Sequence, residues 1–193
     1  MTSPEIHGYA IVSDDDRIAD AGGAMPKALH NKADWAYFQA ELDRADLIAL
    51  GRASHEATPN PKRRRRLVLS RTARGLEARG DGWWWNPEAA AWPEVAASLA
   101  PPGGRVGVPG GQAAFEIFLK IGFAAFHLSR ARGVVLAGGR GLFEACERGV
   151  PAEQILSRAG LRAGETIAID GTARVELTVW RTLSPVECGP NGR

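Results

Sequence analysis

Short apolar segments alternate with segments of helical periodicity along most of the chain, and this order constrains the fold more than any other feature. The predicted strands cover residues 6–12, 46–51, 67–69, 82–86, 105–109 and 126–129, and the predicted helices cover 33–45, 91–100 and 112–122. Near the end, two segments of alternating polarity flank Asp170 and Gly171, a dipeptide typical of a hairpin turn. This order predicts an α/β fold with a mostly parallel sheet and an antiparallel C-terminal edge.

The length of the chain favours one compact domain, taken as residues 1–193. Its charge and its apolar pattern argue against nucleic acid and membranes as partners. The net charge is only +2, so the five consecutive basic residues 62–66 are a local run and nucleic acid is an unlikely partner. Cys146 and Cys188 have neither disulfide nor zinc spacing, which favours a reduced, cytoplasmic setting. The sequence has no secretory signal pattern and no apolar run of ~18 residues, so no membrane association is expected.

Three consecutive tryptophans, Trp83 to Trp85, could suggest a stacking platform for a ligand. Neighbouring residues of a strand point to opposite faces of the sheet, however, so the three rings are unable to form one surface. We therefore interpret them as parts of the core and of its covering layer.

Two predicted strands end in glycine immediately before a polar or helical segment. The first is followed by Gly51-Arg52-Ala53-Ser54, and the second by Gly110-Gly111 and a helix. Glycine lets a backbone approach a phosphate closely, and the N-terminus of a helix favours negative charge. The G-x-G-x-x-G fingerprint is absent, so this pattern is as consistent with ordinary glycine turns as with a bound dinucleotide.

Asp34 begins the predicted helix 33–45 and lies four residues before Phe38, so the two share a face. Asp is a preferred N-cap residue, and spacing alone favours that role. The alternative is a carboxyl group beside an apolar pocket, where it could pair with an N–H of a heterocycle and help to deliver a proton. The four histidines lack metal-ligand spacing, and His127 is interpreted as a residue in the wall of the domain.

Taken in order, these segments resemble dihydrofolate reductase and its relatives over nearly the whole chain. The stretch DRIADAGGAMP (16–26) is similar to the mobile active-site loop of that family, and ADWAYF (33–38) has the family's acidic residue followed four positions later by Phe. Further resemblances are found in LGRASHEA, RRRRLVLSR, VPGGQAAFEIFL, FHLSRA and VELTVWRT. The resemblance implies a three-layer α/β/α fold and an NADPH-dependent oxidoreductase that transfers a hydride to a heterocycle, first of all dihydrofolate, to give tetrahydrofolate.

The resemblance also implies a role for individual residues. Asp34 would be the catalytic acid, with Ser129 as its hydrogen-bond partner. The substrate site would further contain Phe38 against the ring, Arg64 for a carboxylate and Val12 near the nicotinamide. The NADPH site would contain Ala19 near the nicotinamide, Gly51, Arg52, Ala53 and Ser54 at the phosphates, Ser70 and Arg71 at the 2′-phosphate, and Gly110, Gly111, Gln112 and Ala113 at the pyrophosphate.

Two other functions stay open. The same fold serves the reductase of riboflavin biosynthesis, which acts on a ribosylamino-pyrimidine phosphate. The H-x-E and P-C-x-x-C motifs of its deaminase partner are absent, so only a stand-alone reductase of this kind is expected. The other alternative is a degenerate, non-catalytic domain that binds a nucleotide or RNA. A monomer and a homodimer are both consistent with the sequence.

Overall fold

A computed structural model describes residues 2–172 and 174–183 of the chain, so Cys188 lies outside the described residues. The strands are β1 (Glu5–Val12), β2 (Arg17–Ala19), β3 (Leu47–Gly51), β4 (Arg66–Leu69), β5 (Leu76–Arg79), β6 (Gly82–Trp85), β7 (Arg105–Gly110), β8 (Ala125–Ala131), β9 (Arg140–Gly141), β10 (Leu161–Ala168) and β11 (Val175–Thr182). The helices are α1 (Lys32–Asp43), α2 (Arg52–Ala57), α3 (Trp92–Leu99), α4 (Gln112–Ile121) and α5 (Ala152–Arg158), with short 3₁₀ turns at Lys27–Leu29 and Glu144–Arg148.

Nine strands form one sheet in the order β10-β11-β8-β1-β7-β3-β4-β6-β5, and β2 pairs with β9 in a small second sheet. The central pairs, from β8 through β1, β7, β3 and β4 to β6, are parallel. At the C-terminal edge, β11 pairs antiparallel with β8 and with β10. This confirms the predicted α/β fold with a mostly parallel sheet and an antiparallel C-terminal hairpin.

The two faces of the sheet carry separate apolar clusters, which gives three layers. On one face, Val95 of α3 and Phe115 and Phe118 of α4 pack against the strands. On the other face, Leu42 of α1 packs against the sheet. Of the three tryptophans, Trp85 joins the first cluster and Trp84 the second, as expected for neighbours in a strand.

The loop before β2 is fixed by the three consecutive aspartates 14–16. Each carboxylate accepts a hydrogen bond from a backbone N–H that is more than a hundred residues away in the sequence. The donors are Gly133, Leu136 and Ala152, at 2.7, 2.9 and 3.0 Å. Arg130, which is buried, also donates to Asp16 at 2.6 Å. These contacts hold β2 beside the main sheet and so position Ala19.

Several elements were not predicted, notably β2, β5, β9 and α5. The C-terminal hairpin was predicted, but its turn is longer than two residues. The last paired residues before the turn are Ala168 and Glu176. Asp170 stabilises this turn, since its Oδ1 accepts from the backbone N–H of Arg174 at 2.9 Å. Among the helices of the described residues, none has the length and apolar character needed to cross a membrane.

Candidate active site

A cavity of about 1290 Å³ lies where the carboxyl ends of the parallel strands meet α1, α2 and α4. Small-molecule pockets usually measure roughly 300–1,000 Å³, so this one has room for two ligands side by side. Asp34 is the one carboxylate among the described residues of its lining. The cations of the lining are Arg52, Lys62, Arg64, Arg66, Arg71 and Arg140. The cavity therefore favours anionic ligands.

Asp34 does not cap α1, contrary to the role that its spacing favoured. The N-cap is Asn31, whose side-chain oxygen accepts from the backbone N–H groups of Ala33 and Asp34 at 2.9 and 3.1 Å. With the cap provided by Asn31, the Asp34 carboxyl is free to line the cavity. Burial raises the pKa of Asp34, and a hydrogen bond from Ser129 of β8 opposes part of that rise.

An apolar wall stands next to Asp34 on the same helix. Phe38 packs edge-on against the ring of Tyr9, with 6.3 Å between the ring centroids, and lies 5.5 Å from the ring of Trp35. Trp35 is 56% exposed and stands at the entrance. A planar heterocycle that enters here would meet aromatic faces and one carboxyl group.

The two glycine junctions meet at the other end of the cavity. A Cβ added to Gly51 would lie 3.9 Å from the backbone nitrogen of Gly111, so the ends of β3 and β7 are adjacent. Gly111 precedes α4, whose first turn has no side-chain cap, and Gln112 and Ala113 line the cavity. Exposed N–H groups at the start of this helix favour an anion.

Gly110 itself does not line the cavity, which corrects the expectation that it contacts the cofactor directly. Its φ is +111°, a conformation that L side chains rarely adopt, and an added Cβ would lie 3.1 Å from the ring of Phe115. Gly110 therefore shapes the turn that leads into α4 and does not form part of the cavity surface. The peptide bond between Gly110 and Gly111 is cis.

Polar side chains surround the adjacent ends of β3 and β4. Arg52, Ala53 and Ser54 line the cavity in the first turn of α2. Ser70 and Arg71 line it directly after β4, and the Ser70 hydroxyl is 2.9 Å from that of Thr72. Arg71 is exposed and forms no ion pair with the described residues. Hydroxyl groups and a guanidinium are suitable partners for a phosphate group.

Arg64 lines the cavity, but its guanidinium already has partners. Its Nε and Nη2 donate to Oδ1 of Asp43 at 3.0 and 2.6 Å, and Nη2 donates to the side-chain oxygen of Gln39 at 2.8 Å. Lys62 donates to the other oxygen of Asp43 at 2.5 Å. Arg64 would have to leave these contacts, or share them, to bind a substrate carboxylate in the bidentate manner that the resemblance implies.

Val12 does not reach the cavity, which corrects a second expectation. Its side chain is completely buried in the core cluster that includes Ile6. Along β1, Tyr9, Ala10 and Ile11 line the cavity, as does Ala19 of β2, whereas Val12 packs in the core.

Tyr37 and Arg140 also line the cavity and were not predicted from the sequence. Tyr37 could have been found, because it lies three residues after Asp34 on the same helical face. Arg140 lies in the short strand β9 opposite Ala19, and no local pattern marks it.

A mostly parallel sheet in this order, with α1 on one face, α3 and α4 on the other, and a cavity at its carboxyl edge, defines the dihydrofolate reductase-like fold. No protein-family profile matches the chain, and comparison with curated proteins gives no sequence match. Solved structures do match it. Dihydrofolate reductase from Enterococcus faecalis, in a complex with NADP(H) and RAB-propyl, has a TM-score of 0.65 at 13% sequence identity over 92% of this chain and 95% of that chain.

Two structures connected with riboflavin biosynthesis are similarly close. A diaminohydroxyphosphoribosylaminopyrimidine deaminase/5-amino-6-(5-phosphoribosylamino)uracil reductase from Thermotoga maritima has a TM-score of 0.65 at 15% identity, over 94% of this chain and 57% of that chain. A protein from Shewanella sp. PV-4 assigned to riboflavin biosynthesis has a TM-score of 0.63 at 16% identity, over 93% of this chain and 99% of that chain. At these identities the likeness establishes the fold.

Proposed function

We propose that the protein is an NADPH-dependent reductase that transfers a hydride to a heterocyclic substrate. The observation that carries this proposal is the division of one large cavity into two chemically different ends. One end has Asp34 beside aromatic side chains, and the other has the glycine junctions, hydroxyl groups and the guanidinium groups of Arg52 and Arg71. A cofactor with several phosphates and a planar substrate match these two ends.

The residues of the phosphate end fit NADPH. The close approach of Gly51 to Gly111 leaves a groove without side chains, which suits a pyrophosphate. Ser54 and the start of α4 would hold that group, and Ser70 with Arg71 would hold the 2′-phosphate that distinguishes NADPH from NADH. When bound, NADPH supplies the hydride, and the protein orients it and excludes water.

Asp34 would help to deliver the proton that the substrate gains as it is reduced. A carboxyl group whose pKa is raised by burial can hold a proton closer to neutral pH than an ordinary aspartate. In its ionised form it accepts hydrogen bonds from N–H groups, and Ser129 helps to fix its orientation. Both properties suit an amino-substituted heterocycle that gains a proton as it is reduced.

Dihydrofolate is the first candidate substrate, because Asp34, Phe38 and Ser129 all line one end of the cavity, where they could contact a pterin ring. A ribosylamino-pyrimidine phosphate is the second candidate. The observation that favours it is that Arg64 already binds Asp43 and Gln39. Arg64 is therefore less available to bind the glutamate carboxylate of dihydrofolate. Both substrates carry the N–H groups that Asp34 would bind.

The test is NADPH oxidation with each substrate in parallel, for the wild type and for Asp34→Asn. We expect one substrate to support turnover, and we expect Asp34→Asn to lower kcat by roughly a hundredfold or more while NADPH still binds. Glu165→Gln, an exposed charge change on β10 outside the cavity, is the control and should retain full activity. Turnover with neither substrate, or full activity of Asp34→Asn, would contradict the proposal.

A further inference from the structure

A chain of hydrogen bonds runs from the cavity wall to the protein surface behind Asp34. The Tyr37 hydroxyl is 2.5 Å from Nδ1 of His127. Nε2 of His127 is 3.4 Å from Nδ1 of His7, and Nε2 of His7 is 3.2 Å from Oε2 of Glu5. Tyr37 and His127 line the cavity, whereas the Glu5 side chain is 62% exposed at the other end.

This chain lies beside Asp34 and Ser129, which both line the cavity. Asp34 and Tyr37 are three residues apart on one face of α1, and Ser129 and His127 are two residues apart on one face of β8. The contact between Tyr37 and His127 therefore connects the helix to the strand next to Asp34 and Ser129, and all four residues line the cavity.

The surroundings of both imidazoles in the chain favour the neutral form. Burial lowers the pKa of His127 to about 3, with His7, Arg181 and Arg105 adding to the effect. Burial also lowers the pKa of His7 and Arg105 adds to that change, whereas the hydrogen bond and charge of Glu5 oppose part of it. A neutral imidazole has one nitrogen that donates and one that accepts, so each ring transmits a fixed hydrogen-bond direction.

The direction follows from the surface end. A carboxylate only accepts, so we assign the hydrogen of His7 to Nε2, which then donates to Glu5. His7 then accepts at Nδ1 from Nε2 of His127, and His127 accepts at Nδ1 from the Tyr37 hydroxyl. The single hydrogen of that hydroxyl is thereby used, so the oxygen of Tyr37 keeps only lone pairs for a ligand of the cavity that Tyr37 lines.

We propose that Tyr37 is a substrate-contacting residue whose oxygen is fixed as a hydrogen-bond acceptor by His127 and His7, so that the site selects ligands with a donor facing Tyr37 as well as one facing Asp34. The proposal rests on the proposed function, because it concerns the same substrate end of the cavity. His127 and His7 act through Tyr37 and are positioning residues. The selected class is a heterocycle with two donor groups on neighbouring edges.

The test uses two probes of the same shape with the NADPH-loaded protein. 2,4-Diaminopyrimidine has two amino donors, and 2,4-dimethylpyrimidine has none. Calorimetry should show that the wild type prefers the diamino probe. Tyr37→Phe should weaken binding of that probe by roughly three- to tenfold, the effect of one lost hydrogen bond, and leave the dimethyl probe and NADPH unchanged.

Two further measurements separate this role from a structural one. His127→Phe should reduce the selectivity between the probes, and the double variant with Tyr37→Phe should be no worse than Tyr37→Phe alone. A ¹⁵N spectrum of the wild type, which does not depend on the folding of any variant, should show His127 as the neutral tautomer with its hydrogen on Nε2.

The possible failures are distinguishable. If the wild type prefers the diamino probe and Tyr37→Phe keeps that preference, the role of Tyr37 is refuted while the proposed function stands. A hydrogen on Nδ1 of His127 would likewise refute the fixed direction. If the wild type binds NADPH but does not distinguish the probes, both the role of Tyr37 and the recognition of an amino-heterocycle are refuted.

Discussion

Acidification should destabilise this protein through His127, and the size of the effect follows from its burial. The residue is 5% exposed, and its pKa falls from the ordinary value of 6.5 to about 3. The folded state thus favours the neutral imidazole, so His127 contributes stability above pH 6.5 that is lost as the pH falls towards 3. With about 1.4 kcal/mol for each pKa unit, the loss between pH 7.5 and pH 5 is about 2 kcal/mol.

The assay is urea unfolding of the wild type and of His127→Gln at several pH values. Gln retains hydrogen-bonding groups but does not titrate, so the difference between the two free energies of unfolding isolates the imidazole. The free energy of unfolding of the wild type minus that of His127→Gln should be constant above pH 7 and should fall by about 2 kcal/mol by pH 5. Two profiles that stay parallel from pH 7.5 to pH 5 would refute the assignment of His127 as a buried neutral residue.

Three further predictions concern the frame of the site. Asn31→Ala should lower the free energy of unfolding by about 1 kcal/mol through loss of the α1 cap, as measured with urea, whereas Asn31→Ser should retain most of it. Gly110→Ala should cost about 1–3 kcal/mol in the same assay, because φ is +111° and Phe115 lies close; a neutral effect would contradict this conformation. Arg71→Ala should weaken NADPH binding roughly tenfold in calorimetry and leave NADH binding unchanged; equal losses would contradict a 2′-phosphate contact.

The sequence predicted best the elements whose signals are local. Helix α4 was recognised from its apolar periodicity between two glycine signals, and in the structure it begins at Gln112 and ends before Gly122. The strand of three tryptophans was recognised from composition, and its alternation between two cores followed from strand geometry alone. Strand β5 was missed because Leu76–Arg79 is only four residues long, lies at an edge of the sheet and contains Glu and Ala, which are uncommon in strands.

Competing local signals explain the wrong interpretation of Asp34. Asp34 and Asn31 are both suitable caps, and spacing alone does not distinguish them. The structure resolves the choice, because Asn31 has extended backbone angles and accepts both N–H groups. Once Asn31 is the cap, the position of Asp34 in the cavity wall follows from the helical period.

Contacts between distant residues explain most of what the sequence did not reveal. Arg64 and Asp43 are 21 residues apart, and Tyr37 and His127 are 90 residues apart. Their pairing depends on the packing of α1 against the sheet, which no local pattern encodes. The basic run at 62–66 is thus partly neutralised by α1, and Arg64 and Lys62 share the single carboxylate of Asp43.

A crystal structure with NADPH tests the central claim most directly. We expect the pyrophosphate at Gly111 and the start of α4, the 2′-phosphate at Arg71, and the nicotinamide beside Ala19, facing the space next to Asp34. A cofactor bound elsewhere, or a nicotinamide ring turned away from Asp34, would contradict the claim that the two ends of this cavity act together in one reductase.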